Sequence, residues 1–290
     1  MRQTEQMEDF ETRILQARQA LRAADALVVG GGAGLSAAAG LTYGGPRFQE
    51  HFGPFIRRYG MTDMYSAGFH PFASDEERWG YWALQIGLNR YDPPGMPLYR
   101  DLLALVQSKP YFVITTNVDH QFQKAGFPED RVWAVQGDYG LSQCAQGCHR
   151  RVYDNEEEIR AMRAATVDCR IPSDLVPHCP VCGGPMDPNL RKDDHFVEDE
   201  AWEAARDRYS AFLQGAQGVR VAFLELGVGF NTPAIIRFPF ERMVHRLKGA
   251  TLIRFNALDI EGPRENATRT LAFTEEMGLT LGRLLGSPDA

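Results

Sequence analysis

At 290 residues the chain is long enough to bury a substantial core, as one large domain or as a large and a small one. A composition of 44% apolar and 24% charged residues is that of an ordinary globular protein, and a formal net charge of -7 argues against nucleic acid as the main partner, which would demand a basic footprint. No stretch approaches the roughly 18 apolar residues of a membrane span, and residues 1–11 are too polar for a signal peptide, so a cytoplasmic setting without a membrane partner is expected. Clustered cysteines in that setting more often hold metal than disulfides.

Residues 7–24 carry Phe10, Ile14, Ala17 and Leu21 at helical spacing on a polar background, which predicts a helix covering a sheet edge. Next, the apolar run Leu27-Val28-Val29 meets Gly30 to Gly34 and then the small residues Ser36 to Ala39, predicting a buried strand, a tight turn and a helix start. The first turn of a helix presents unpaired N–H groups and a positive dipole end, so such a junction favours an anion. Gly32-x-Gly34-x-x-Ala37 fits the dinucleotide fingerprint, although a merely tight strand-to-helix turn would call for the same glycines. An ordinary dinucleotide fold would reach a second strand ending in Asp or Glu about twenty residues later. Here the chain enters the turn-rich segment Tyr43-Gly44-Gly45-Pro46-Arg47-Phe48 and then more helical sequence.

Gly32-Ala33-Gly34-Leu35-Ser36, followed by Gly40 and by the Arg47-Phe48 loop, resembles the opening motif of the sirtuin family. The family's Pro-Asp-Phe-Arg loop is altered here. The resemblance implies an NAD site that includes Gly32, Ala33, Gly34, Ser36, Gly40 and Arg47.

Residues 52–72 hold scattered aromatics; residues 76–91 predict a helix whose Trp79, Tyr81, Trp82 and Leu84 read as core, and residues 97–107 predict another. Tyr111 to Thr116 is a continuous β-prone run, as in buried parallel strands, and stops at Asn117-Val118-Asp119-His120 ahead of a short helix closed by Gly126. Ligands bind outside the carboxyl ends of such strands, and Asn and Asp also cap helices, so spacing alone leaves both roles open. Thr115-Thr116-Asn117-Val118-Asp119 is similar to the sirtuin segment Thr-Gln-Asn-Ile-Asp, whose Asn and Asp line the nicotinamide-ribose site. A further short strand over residues 131–135 ends at Gln136-Gly137, where deacetylating sirtuins read His-Gly with the His as base. An amide has no protonation equilibrium near neutral pH, so Gln136 cannot act as a general base.

Cys144-x3-Cys148 and Cys179-x2-Cys182 stand thirty residues apart, a pattern that suits a structural zinc with four thiolates, free thiols being the alternative. His149 and His178 adjoin ligand cysteines as substitutes, and Cys169 is left over as a buried thiol. A charged helix over residues 156–165 is inserted between the pairs. Leu190 to Phe196 falls where sirtuins carry the strand that clamps an acetyl-lysine peptide, with acidic residues and a His in place of apolar ones. Arg191 keeps the family's Arg, either to meet an anionic acceptor or phosphate or to form a surface salt bridge.

Residues 201–217 predict an amphipathic helix, and residues 220–226 a strand in which Glu225 reads as a satisfied buried carboxylate. Gly227 and Pro233, one residue early, then keep the family's third motif in outline, which implies cofactor contacts at Gly227 and Gly229. A helix over residues 238–248 leads to a last strand, residues 251–255, ending in Asn256, which matches an Asn that contacts the adenosine ribose in sirtuins. Residues 270–285 predict a closing helix.

The alternation of strands and helices gives an α/β fold, a doubly wound parallel sheet of Rossmann-like, sirtuin type with a smaller zinc-ribbon and helical lobe. The expected division is residues 1–43, 96–143 and 190–290 for the NAD-binding domain, 44–95 for a helical insert, and 144–189 for the ribbon. The mix of kept and lost motifs is most similar to the macrodomain-linked class M sirtuins. That implies a mono-ADP-ribosyltransferase acting on an acceptor protein, with a lipoylated relative of the glycine cleavage H protein as the acceptor and a macrodomain hydrolase as a functional partner. Asn117, Asp119 and Gln136 are the expected catalytic residues, with Thr116 beside them. A lysine deacylase and a non-catalytic NAD or ADP-ribose sensor are the alternatives.

Overall fold

The computed structural model describes residues 2–286. Its strands are β1 (Ala26–Gly31), β2 (Tyr111–Thr115), β3 (Val132–Ala134), β4 (Gly137–Cys144), β5 (Val152–Asp154), β6 (Met186–Leu190), β7 (Val221–Leu226), β8 (Ala250–Phe255) and β9 (Thr270–Phe273). A parallel sheet runs β3-β2-β1-β7-β8-β9, and an antiparallel one runs β5-β4-β6. The order of the first sheet reverses between β1 and β7, the crevice where open α/β sheets bind ligands.

Every residue of β1, β2 and β7 is buried, which explains why these segments read as unbroken apolar runs without alternation. Helices Arg2–Ala23, Pro97–Val106 and Met277–Leu285 cover one face through Ile14, Leu102 and Leu281. On the other face, Tyr209 of helix Glu200–Gly215 and Phe240 of helix Arg237–Arg246 pack on Val28 and Phe223. The N-terminal helix guards the β9 edge as expected: Phe10 meets Phe273 edge-on, and Arg13 bonds Ala272 O and Glu275.

The smaller lobe joins the antiparallel sheet to helices Gly45–His51, Gly53–Tyr59, Met64–Ala67, Asp75–Ile86 and Glu156–Ala165. Its core is aromatic, with Phe48 stacked on Phe52 and Tyr81 tilted against both Phe52 and Trp82. Helix Asp75–Ile86 starts at Ser74, whose Oγ accepts from Glu77 N–H, and ends in a widened turn where Asp92 N–H reaches Gly87 O.

Two expectations change. Residues 270–285 are not one helix: Thr270–Phe273 pairs with β8 as a parallel edge strand, and the helix starts only after Glu276, whose carboxylate caps Gly278 and Leu279. Residues 137–143, expected in the larger domain, form most of β4 in the smaller sheet, paired with β6. Pro188 is tolerated in β6 because that strand lies at an edge. Among the described residues no helix is long and apolar enough to cross a membrane.

Candidate functional site

The glycine turn after β1 is locked to the turn after β7. Gly32 N–H donates to Leu226 O and Gly34 N–H to Gly227 O, while Leu35 N–H closes back on Gly32 O. A Cβ on Gly34 would lie 2.7 Å from Gly227 Cα, and Gly227 itself has φ +61 with Gly34 and Leu35 against it. These glycines therefore permit a close approach of two strand ends, and their own amides are committed inside the protein.

At the end of β2 the Thr115 hydroxyl donates to Gly31 O and accepts from Asn117 N–H, which turns the chain toward the β1 terminus. Asn117 Nδ2 is 2.9 Å from Gly32 O, 3.0 Å from Ser36 Oγ and 3.2 Å from Tyr99 Oη. Ser36 donates to Asp119 Oδ2 at 2.5 Å, and Gln121 N–H donates to Asp119 Oδ1 at 3.1 Å. Burial pushes the Asp119 carboxyl above the usual range, opposed first by the Ser36 bond and then by the Gln121 amide. Next to it, His120 adopts a left-handed backbone, φ 62, and its Nδ1 meets Asp138, which also pairs with Arg90.

These groups open on a cavity of about 530 Å³. Ala33, Gly34, Ser36, Thr116, Asn117, Asp119 and Gln136 line it from the sheet, Asn231 and Thr232 from the turn after β7, and Arg191 and Lys192 from beyond β6. Tyr43, Met64, Tyr65, Phe69, Trp82 and Tyr139 of the smaller lobe complete it. The Arg191 guanidinium lies over Phe196 and Trp202 and pairs with Glu198, while the Arg191 backbone N–H donates to the Gln136 backbone O at 3.0 Å. Arg191 thus forms a salt bridge and also stands on the cavity wall.

Other expected site residues lie off the cavity wall. Arg47 donates to Thr42 O, Leu88 O and Asn89 Oδ1, a strut inside the helical lobe that takes up its guanidinium. Asn256 donates to Val228 O and accepts from Leu258 and Asp259 N–H, fixing the turns after β7 and β8. Gly40 supplies a left-handed turn after the short helix Ala33–Ala38, and Gly229 is exposed in the turn after β7. Tyr99 was not singled out in the sequence; a buried aromatic on an amphipathic helix looks like core, and its partner Ser36 is 63 positions away. Lys192, Asn231 and Thr232 carried no pattern either.

Cys144, Cys148, Cys179 and Cys182 bring their Sγ atoms within 4.8 Å of one another. Cys144 to Cys182 and Cys148 to Cys179 are each 3.7 Å apart, close to the roughly 3.8 Å edge of a tetrahedron with metal–sulfur bonds of about 2.3 Å. His149 Nδ1 lies 3.0 Å from Cys148 Sγ; His178 instead bridges Pro185 through its backbone. Cys169 is buried apart from the group, and burial raises its thiol.

No family model matches the chain. A protein ADP-ribosyltransferase of Staphylococcus aureus (strain Mu50) is 40% identical over 261 residues, which are 90% of this chain and 83% of that protein. A probable bifunctional ADP-ribose hydrolase/ADP-ribosyltransferase of Fusarium oxysporum f. sp. cubense is 34% identical over 80% of this chain and 40% of its own longer length. Among solved structures, a Sir2 homolog in complex with NAD matches with a TM-score of 0.58 at 16% identity, covering 93% of this chain and 91% of that one. A structure from work on the mechanism and regulation of Sir2 enzymes matches with a TM-score of 0.59 at 19% identity, covering 95% and 97%. The structural likeness shows the sirtuin fold, and the sequence likeness shows the family: the chain belongs to the NAD-dependent protein ADP-ribosyltransferases of sirtuin type.

Proposed function

We propose that the cavity holds the nicotinamide riboside of NAD against Asn117, Asp119 and Gln136, and that ADP-ribose passes to a carboxylate on an acceptor protein. The observation that carries this is Gln136 on the cavity wall, where proton abstraction would need a titratable group. An acceptor carboxylate is already ionised at pH 7 and needs no base. Its oxygen attacks C1′ of the ribose, the bond from C1′ to nicotinamide breaks, and nicotinamide leaves as a neutral molecule with the electron pair.

Asn117 directs Nδ2 inward, so its Oδ1 is the atom offered to a ribose hydroxyl, with the Gln136 amide beside it. Asp119 supplies negative charge toward the cation that develops at C1′. Arg191 and Lys192 give the acceptor side a cationic wall, and Met64, Tyr65 and Phe69 an apolar one. An acidic residue near a long apolar prosthetic arm suits both, which favours the lipoylated glycine cleavage H-like carrier. A macrodomain hydrolase that removes the modification is proposed as functional partner; the name of the Fusarium relative joins an ADP-ribose hydrolase to an ADP-ribosyltransferase in one chain. The four thiolates would hold a structural zinc, whose closed coordination shell leaves no position for substrate.

Incubation with NAD and a lipoylated carrier, followed by intact mass measurement, tests the reading. Transfer adds one ADP-ribose to the carrier; O-acyl-ADP-ribose from an acylated peptide would instead mark a deacylase, and NAD binding without nicotinamide release a sensor. Asp119→Asn is expected to lower the transfer rate by roughly 100-fold or more. Transfer at full rate by that variant would remove Asp119 from the mechanism.

A further inference from the structure

Tyr99 lies on helix Pro97–Val106, outside every motif that marks the site, and its side chain is wholly buried. Its hydroxyl is 2.8 Å from Ser36 Oγ and 3.2 Å from Asn117 Nδ2. The direction of each bond follows from which atoms carry protons. Asn117 Nδ2 can only donate, and the single Ser36 proton goes to Asp119 Oδ2 at 2.5 Å. Tyr99 must therefore donate to Ser36 Oγ while it accepts from Asn117. One Asn117 Nδ2 proton goes to Gly32 O and the other is shared between Ser36 and Tyr99, while the hydroxyl protons of Tyr99 and Ser36 run toward Asp119, whose Oδ1 takes the Gln121 N–H. Protonated, Asp119 could donate to Ser36 Oγ only if the Ser36 proton turned to Tyr99 Oη, leaving the buried Tyr99 proton without this acceptor, so the Tyr99 bond favours the ionised form.

We propose that Tyr99 is a positioning residue whose hydroxyl polarises Ser36 and thereby keeps the Asp119 carboxylate ionised beneath the cavity. The mechanistic meaning of this rests on the reading of Asp119 as the charge that faces the ribose, but the ionisation itself does not. Burial opposes the charge, as does Asp138 on β4; Tyr43 and Tyr139 approach from the smaller lobe, and Lys124, on helix Gln121–Lys124, is the nearby cation. The Tyr99 phenol is itself held well above its usual value by burial, so it remains a donor throughout the working range.

The test is an NMR titration of 13C-labelled aspartate carboxyls, with Asp119 assigned by its loss in Asp119→Asn. Tyr99→Phe keeps the ring that packs edge-on against Phe122, so the fold should be retained. Its Asp119 midpoint is expected to rise by a few tenths of a unit, the size of cooperative strengthening across one bond. Ser36→Ala, which removes the direct donor, should raise it by about one unit or more. An Asp119 midpoint unchanged in Tyr99→Phe, or unchanged in Ser36→Ala if the first variant does not fold, overturns the proposal. Transfer by Asp119→Asn is measured separately: a fully active variant sinks the catalytic reading of Asp119 and leaves the titration result standing on its own.

Discussion

Asp138 stands behind the Asp119 loop, and its partners converge from three places: His120 Nδ1 at 2.5 Å, Arg90 Nε at 2.8 Å and Gly140 N–H at 2.6 Å. His120 directly follows Asp119 and has φ 62, so this bond holds a strained residue and with it the loop that presents Asp119. Burial pushes the Asp138 carboxyl up, but the His120 hydrogen bond and the Arg90 charge outweigh it and hold the group below its usual range. A carboxyl depressed by folding adds stability above its unfolded value, and that stability is lost as pH falls through the folded value. Asp138→Asn keeps the shape and removes the charge, so it should cost about 1–3 kcal/mol at pH 7. The gap in melting temperature between variant and wild type should then narrow as the pH falls below the usual carboxylate range, where the wild-type carboxyl also loses its charge. A gap of constant size across that range would mean that the charge is not what matters. Nothing in the sequence marks this residue, since Arg90, His120 and Asp138 lie on separate segments and meet only once both lobes are assembled.

At the level of elements, the pairing of β7 with β8 makes Glu225 and Arg254 register partners with fully buried side chains. Arg254 Nε is 2.7 Å from Glu225 Oε1 and its Nη2 is 2.8 Å from Glu241 Oε1, while Nη1 reaches Glu261 O. Arg237 adds a second buried guanidinium, bonded to Asp259 O and lying over Phe230. The network thus ties β7 and β8 to the turn that follows β8. Arg254→Met leaves Glu225 buried without its main counter-charge and should cost about 3–5 kcal/mol. Adding Glu225→Gln to that variant should recover part of the loss, and a thermal melt that shows no recovery would argue that the damage is packing alone. Glu225 was legible as a satisfied carboxylate because a lone acid inside an apolar strand needs a partner; which partner was not, since register is a tertiary property. The same limit explains the missed strands. Thr270–Phe273 is only four residues long, too short to show a period, and Pro188 disguises β6 as a loop. The long apolar runs of β1, β2 and β7 were readable because burial on both faces leaves its mark on every residue. Arg47 shows the limit of motif reading, for its basic side chain near the glycine turn serves as a strut to Thr42 O, Leu88 O and Asn89 Oδ1, contacts that no motif announces.

Across the whole molecule, the cavity depends on both lobes, yet the lobes have separate cores: the aromatic cluster around Phe48, Phe52 and Tyr81 is distinct from the clusters on either face of the parallel sheet. The smaller sheet has three strands, a size that needs support from packing or a cross-link. A metal held by the cysteine cluster would supply such a link, because Cys144 ends β4 while Cys179 and Cys182 precede β6, and Ala145 N–H bonds Pro185 O between them. Desolvation opposes ionisation at Cys179, but the amides of Cys182 and Val181 and the neighbouring thiols bring it to about 7, so a thiolate is accessible there near neutral pH even before a metal contributes. Elemental analysis is expected to find one zinc per chain, lost in Cys182→Ser and kept in Cys169→Ser. Because β6 leads directly into Arg191 and Lys192, losing the metal should loosen that cavity wall while the parallel sheet stays folded. The expected result of chelation is therefore an earlier, separate melting step, with proteolysis confined to residues 145–185. Cleavage inside the parallel sheet at the same rate, or a single transition unmoved by chelator, would show that the two lobes stand or fall together and that the cysteines add no stability of their own.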